Sequence, residues 1–478
     1  MDTEENSSVS EVQAELEFYS KYITHFLSSD PDLSALYPIS HLNLVETLKS
    51  GVLLCKLINT IKPNTITTTS IYTQIPLSPF QQRANLNLAI NSLRFLDPTL
   101  PACTYTSILD CDMPTILEIL WRTVKFYHLN QISAENFSDL SSLIAPNNDP
   151  DTIWLLSPEE LLLRWVNLCL SPYETKKPLI NLTEVGVDTL VLVGKSIWGA
   201  EFNESFQWIV ETVMSNELKD GLSDLCLNPT QYKFRVLILA EMFKSKFPKI
   251  QNSLKKVPRE ETAFRKWINS LNIPEISSQN LCLDLEKSPL KLLKLLNILT
   301  NGSTDLSNIP QIQSEPNQYW DLFWSVGKTL NFSLPPNRPL SMNFPEILSC
   351  VWEVIKFATL HFINLPNESD LLAWANAKLK NPIPDLSSES VPKGCLLDIL
   401  LQIDKRVLEN EQIQEYSPIN EHIDPKLNEI NAKALVSGIR KLGGRVYFSW
   451  EDIAEGNEKI ALVVCAITYH LEKDYVLV

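Results

Sequence analysis

Glycine is the first scarcity in this chain: 12 residues of 478, against 30 prolines. Tight hairpins draw on glycine to reach positive φ, so a sheet built from them is poorly provided for, and helices separated by proline-bearing loops fit better. Also missing is any uncharged apolar run of about eighteen residues, the length needed to cross a bilayer. The opening MDTEENSSVSE is acidic and polar, so neither membrane insertion nor secretion is expected. Phosphate-cradling GxxxxGK, the GxSxG elbow and the GxGxxG turn are all lacking, and LGGR at 442–445 reads as a break after a helix. Six histidines, at 25, 41, 128, 361, 422 and 470, are not spaced as ligands. No catalytic residue, metal site or cofactor is therefore expected. The nine cysteines form no CxxC pair and fall mostly in apolar stripes, as at Cys55, Cys350 and Cys465, which reads as buried thiols of a reducing cytoplasm. Basic side chains are outnumbered 41 to 57, a formal charge of −16, which argues against a nucleic-acid partner. The excess acid is uneven, with 12 basic and 18 acidic residues in 365–478.

What is present is a recurring figure. In SPEELLLRWVNLCL, residues 157–170, Ser157 can cap a helix with Glu159 and Glu160 near its positive end. Leu161, Leu162, Trp165, Val166 and Cys169 then make one apolar stripe centred on a tryptophan. The figure returns around Trp267 and Trp374, and more weakly around Tyr22. These anchors lie 143 (165−22), 102 (267−165) and 107 (374−267) residues apart, a period of whole domains rather than of a short-repeat solenoid.

In chain order, residues 1–11 read as a disordered tail, followed by a unit at 12–131, a Ser/Asn/Asp/Pro linker at 132–156, and units at 157–249, 258–364 and 368–473. Inside the first unit, Leu44, Leu48, Val52, Leu53, Cys55, Leu57 and Ile58 cover a helical face that ends at Pro63. Ser78 before Pro79 opens a helix over 78–96, and 114–129 closes the unit with Glu118, Arg122 and Lys125 on its outward side. Few segments read as strands; RVYFSW, 445–450, is the best of them. Aligning the closing helices sets LEILWRTVKF over LSCVWEVIKF, so Trp121 meets Trp352, Lys125 meets Lys356 and Phe126 meets Phe357. Units two and four lack that tryptophan, giving the order A–B–A′–B′. Trp121, Trp165, Trp267, Trp352 and Trp374 are expected as core anchors, each burying roughly 150–250 Å².

With these residues on the page, GVLLCKLIN…P followed by SPFQQRANLNLAINSL resembles the core of a calponin-homology domain. The A–B–A′–B′ order resembles the fimbrin (plastin) family. SPEELLLRWVN, REETAFRKWINSL and NAKALVSGIRKLGGRVYFSWEDIAEGNEKIALVVCAI are similar to stretches of that family's second, third and fourth such domains. The resemblance implies an all-α chain of four calponin-homology domains in two pairs, a cytoplasmic monomer of the actin cytoskeleton that binds filamentous actin and bundles it. It binds no membrane on this reading. The family's EF-hand loops have no counterpart here, since no DxDxDG with its later glutamate occurs, so calcium control through this chain is not expected. Carried over by position, the actin contacts are Lys21 and His25, then Pro79, Phe80, Gln82 and Arg83, then Arg122 and Lys125, with Lys266 and Lys356 in the third unit. Two departures stand against this: Ser50 replaces the family's usual acidic residue, and IYTQIPL, 71–77, replaces a basic cluster. They keep open a second reading, a scaffold of the same fold that has lost filament binding or holds microtubules or another protein.

Overall fold

The computed structural model describes residues 2–133, 136–137, 140–143, 156–173, 177–219, 222–247, 259–278, 280–300, 302, 316–335, 344–365, 367–386, 395–409, 411, 425–454 and 458–475. Those residues are helical throughout their regular structure, with no β-strand among them, as the all-α expectation requires. They gather into two compact units. One comprises Met1–Thr65, Thr73–Leu77 and Cys103–Lys256, and the other Ile66–Tyr72, Ser78–Ala102 and Val257–Val478.

In the first unit the N-terminal helix runs Asp2–Leu27, which corrects the disordered tail expected over residues 1–11. Val12, Leu16, Tyr19 and Ile23 carry a 3.6-residue period, and the helix continues ahead of them through DTEENSSVSE, where Val9 is the one apolar residue. A second correction falls on the 44–61 stretch. Instead of one helix there are two, Leu44–Leu48 and Val52–Ile61, separated by Gly51 at φ +71°. That left-handed residue swings the second helix so that Val52 through Ile58 are buried, Lys56 included. The Lys56 ammonium survives burial because Asp30, 3.3 Å away, and Asp32 receive it.

The centre of this unit is Tyr232–Lys246, where Phe234 through Ala240, Met242 and Phe243 are all buried. A helix apolar on every side must be surrounded. Phe18 meets Phe234 edge-to-face at 5.0 Å, and Trp165 meets Phe243 at 5.2 Å. The Pro158–Leu170 helix starts with Ser157 and Glu160 in a reciprocal capping box. Of the expected linker 132–156, residues 134–135, 138–139 and 144–155 lie outside the described residues, as does the spacer 251–258. What is described of it is no loose tether: Ile132, Phe137, Leu140 and Leu143 are buried, and Phe137 packs on Phe243 at 5.4 Å.

The second unit has two apolar clusters. One is built on Phe344–Phe362, with Ile347, Val351, Val354 and Ala358 facing Phe264, Ile268, Leu293 and Phe323. The other joins Leu371, Leu400, Leu435, Ile439, Val464 and Cys465, with Phe80 packed against it. RVYFSW is not a strand. It keeps the in-and-out alternation that mimics one, with Val446 and Phe448 buried, Arg445 exposed and Tyr447 half-buried, but it forms no ladder.

Candidate functional site

The most elaborate polar seam in the second unit joins the Pro79–Leu96 helix to the Pro425–Lys441 helix. The last carbonyls of a helix have no intrahelical donor, and here two asparagine amides supply it. Asn91 Nδ2 donates to the Arg440 carbonyl at 3.0 Å and Asn87 Nδ2 to the Lys441 carbonyl at 3.1 Å. Ser70 Oγ bonds Ser437 Oγ at 2.9 Å, and the Tyr72 hydroxyl donates to the Arg406 carbonyl at 2.5 Å. Three cations lie on aromatic faces of the 72–95 stretch: Arg406 over Phe80 at 4.3 Å, Arg440 over Phe95 at 4.9 Å and Lys441 over Tyr72 at 4.9 Å. Burial pushes the Arg440 guanidinium down to about 9, still cationic at neutral pH. Lys441, fully buried, is neutralised by Glu411 at 3.0 Å and the Val407 carbonyl at 2.9 Å.

None of these cations belongs to the residues expected as contacts. The mating partners do lie within the two segments that carry the clearest resemblance, SPFQQRANLNLAINSL and NAKALVSGIRKLGG. A sequence signal was present: Asn85 and Asn91 interrupt an apolar run and are buried, and a buried amide needs a partner.

The expected contact residues separate into two settings. In the second unit, Pro79 is exposed at the first turn of a helix capped by Ser78 and Gln81. Phe80, Gln82 and Arg83 are half-buried, with Arg83 5.9 Å from the Phe80 ring. Lys266 lies over Phe95 at 3.6 Å, and Lys356 stands 3.8 Å from Glu353 and 3.9 Å from Glu368. In the first unit, Lys21 pairs with Glu17 at 3.0 Å one helical turn away, and His25 is exposed with its ring edge on Phe26. Arg122 bonds Glu118 at 2.6 Å, the expected i,i+4 partner. Lys125, expected to face outward, is instead taken by Glu159 of the Pro158–Leu170 helix at 2.7 Å.

The tryptophans divide as well. Trp121 and Trp165 are buried, whereas Trp267, Trp352 and Trp374 are half-buried. Trp374 spends its indole N–H on Glu472 at 2.8 Å, and Phe264 stacks on Trp352 at 6.1 Å.

Within the first unit, His128 ties three helices. Its Nδ1 meets Glu241 at 2.5 Å and its Nε2 meets the Tyr22 hydroxyl at 3.2 Å, a pattern that a neutral ring satisfies by donating to the carboxylate and accepting from the phenol. Burial lowers the pKa of this imidazole, outweighing the attraction of Glu241. Burial alone would raise the Glu241 carboxyl, but the His128 hydrogen bond and the Lys244 charge hold it down at about 2. Among the described residues, no group of three or more His, Cys, Asp or Glu side chains could hold a metal ion.

The comparisons agree with this helical architecture. Residues 33–128 match the family model of the calponin homology (CH) domain. Fimbrin-4 of Arabidopsis thaliana is 24% identical over 503 residues, covering 95% of this chain and 76% of that protein. Plastin-1 of Gallus gallus is 26% identical, covering 93% of this chain and 78% of that protein. Among solved structures, the actin-crosslinking core of Schizosaccharomyces pombe fimbrin superposes with a TM-score of 0.68 at 22% identity, covering 96% of this chain and 99% of that one. The CH match at residues 33–128, the likeness along nearly the whole chain and the shared helical fold point the same way: this chain is similar to the fimbrins and plastins almost from end to end, with a calponin homology domain near its start.

Proposed function

We infer that the chain binds filamentous actin and crosslinks filaments into bundles, acting as a monomeric, non-catalytic component of the cytoplasmic actin cytoskeleton. The observation that carries this reading is end-to-end likeness: the chain matches fimbrins and plastins over 93–95% of its length, and its fold covers 99% of a fimbrin's actin-crosslinking core. Bundling needs two grips held in one molecule, and a duplicated CH pair provides them, the second contact being strengthened by effective concentration. On this reading the domains fall at 12–131, 157–249, 258–364 and 368–473. Actin contact is made through Lys21, His25, Pro79, Phe80, Gln82, Arg83, Arg122, Lys125, Lys266 and Lys356, of which His25 and Pro79 are exposed and the others half-buried. Among the described residues no helix is long and apolar enough to cross a membrane.

Filament sedimentation tests this directly. Pelleting of filaments at low speed with the chain present is the expected result, since only bundles sediment there. Co-pelleting at high speed alone would mean binding without crosslinking. Lys21→Glu with His25→Glu, one turn apart on the Asp2–Leu27 helix, is expected to weaken binding about tenfold without loss of helicity.

A second reading, the scaffold without filament binding, is favoured by one observation. Several cations of the expected face are engaged internally, Lys125 by Glu159 and Lys266 by Phe95. Absence of pelleting at either speed, followed by co-sedimentation with microtubules or with neither polymer, would select it.

A further inference from the structure

A tryptophan-bearing face of the first unit contains none of the residues expected to touch a filament. It is built from the Val187–Trp198 helix, the short turn Gly199–Glu201 and the Phe206–Val213 helix. Gly199, at φ +53°, reverses the chain where the first helix ends. Phe202 then folds back, 7% exposed, onto Gly194, where a Cβ would stand 3.0 Å from its ring. Two indoles rest on that buried ring: Trp198 and Trp208 meet edge-to-face at 5.1 Å, and Trp208 meets Phe202 at 5.4 Å. Both tryptophans stay half-buried, and among the described residues neither has a cation over its ring or a partner for its indole N–H.

The charge around these rings has one sign. Residues 181–230 carry eight acidic side chains against two basic ones, whereas the whole chain holds 57 against 41. Both cations are spent inside the stretch, Lys195 on Glu204 at 2.5 Å and Lys219 on the Asn216 amide oxygen at 2.9 Å. Glu201 is exposed and has no partner among the described residues. Glu211, also exposed, accepts from Gln207 at 3.2 Å, a neutral donor that leaves its charge uncompensated. Glu201 follows Trp198 by three residues and Glu211 follows Trp208 by three, the latter pair on one side of one helix. Open indoles flanked by uncompensated carboxylates are complementary to a flat cation. A guanidinium is that group, since it stacks on an aromatic face and forks onto a carboxylate. The residues expected at a filament are mostly cationic, so a partner that matches them does not match this face.

We propose that this face docks an arginine-bearing basic segment of a partner protein, its guanidinium groups stacked on Trp198 and Trp208 and paired with Glu201 and Glu211. The segment's backbone carbonyls supply acceptors for the two indole N–H groups. The site is independent of filament binding, and its test uses no actin.

Calorimetric titration of the full chain with a synthetic peptide made of three Arg-Leu-Arg-Gly repeats is expected to saturate at one peptide per chain, with affinity falling as salt rises. The same peptide with citrulline in place of arginine, equal in shape but neutral, binds about tenfold more weakly or worse. Glu201→Gln with Glu211→Gln, both at exposed positions, lowers affinity for the arginine peptide about tenfold. Asp110→Asn with Asp112→Asn, exposed acids elsewhere in the same unit, leaves it unchanged. Trp208→Leu keeps the face apolar but removes the ring, and lowers affinity by a similar factor at unchanged helicity; should helicity fall, the glutamate pair decides alone. Failure to saturate, equal affinity for the citrulline peptide, undiminished binding by the glutamate pair or by a folded Trp208→Leu, or an equal loss with the aspartate pair would each overturn the proposal. Equilibrium sedimentation of the chain by itself is expected to show a monomer. A dimer that dissociates on Glu201→Gln with Glu211→Gln would make this face a contact between copies and overturn the assignment to a separate partner.

Discussion

Arg235 offers the sharpest quantitative test of how the first unit is held. The residue is 5% exposed, and its guanidinium donates to four backbone carbonyls: Val185 at 2.6 Å, Cys226 at 2.9 Å, Asn228 at 2.7 Å and Pro229 at 3.0 Å. One planar fork thereby fastens two stretches of chain to the Tyr232–Lys246 helix. Hydrogen bonds from a charged donor contribute about 1.5–3 kcal/mol each, so the gross stabilisation is on the order of 6–12 kcal/mol. Burying the cation costs several kcal/mol of that, leaving a net contribution of about 3 kcal/mol. Arg235→Met keeps the length and apolar stem but removes every donor, so residues 185–229 should open about a hundredfold more often, read as faster amide hydrogen exchange in those peptides. Arg235→Lys keeps the charge, yet a single ammonium cannot reach carbonyls disposed around a fork, and it should recover little of the loss. Exchange within threefold of the wild type for Met, or full recovery by Lys, would show that the hydrogen-bond cage is not what holds this region.

Three further outcomes follow from particular residues. Gly51→Ala forces a side chain into the left-handed region at φ +71°, and should destabilise the first unit by about 1–2 kcal/mol in urea unfolding followed by its near-ultraviolet signal. Acidification should loosen the same unit in two stages. The His128 pKa is lowered in the fold, so below about 6.5 the unfolded chain takes up the proton first and stability falls. Glu241, held at about 2, adds stability above its ordinary value near 4.5 and loses it as pH drops from there towards 2. Glu241→Gln should remove that second stage from the stability–pH profile. Cys111 is the exposed thiol while the other eight are buried, so a thiol reagent should titrate one group in the native chain and nine after unfolding.

Much of the helical layout was legible because it is local. The capping boxes at Ser157/Glu160 and Ser78/Gln81 were written in residues three apart, and the closing helices at 114–129 and 344–362 stand at Met113–Leu129 and Phe344–Phe362. Where the reading failed, a single residue or a sparse pattern had decided the matter. Gly51 broke one apolar run into two helices, and isolated anchors such as Phe137 sat inside a stretch whose composition looks like a linker. The candidate contact residues were legible as positions but not as environments.

What the sequence determined by itself was periodicity: which faces are apolar, where the capped helices at Ser78 and Ser157 begin, and that one paired figure occurs twice. Only the tertiary structure decided that Asn91 finishes the Pro425–Lys441 helix from 349 positions away and that Lys125 answers to Glu159. The reason is one of range. A 3.6-residue repeat is fixed by the backbone of its own segment, whereas a hydrogen bond across hundreds of positions depends on how separately formed helices come to rest, and no spacing along the chain records that.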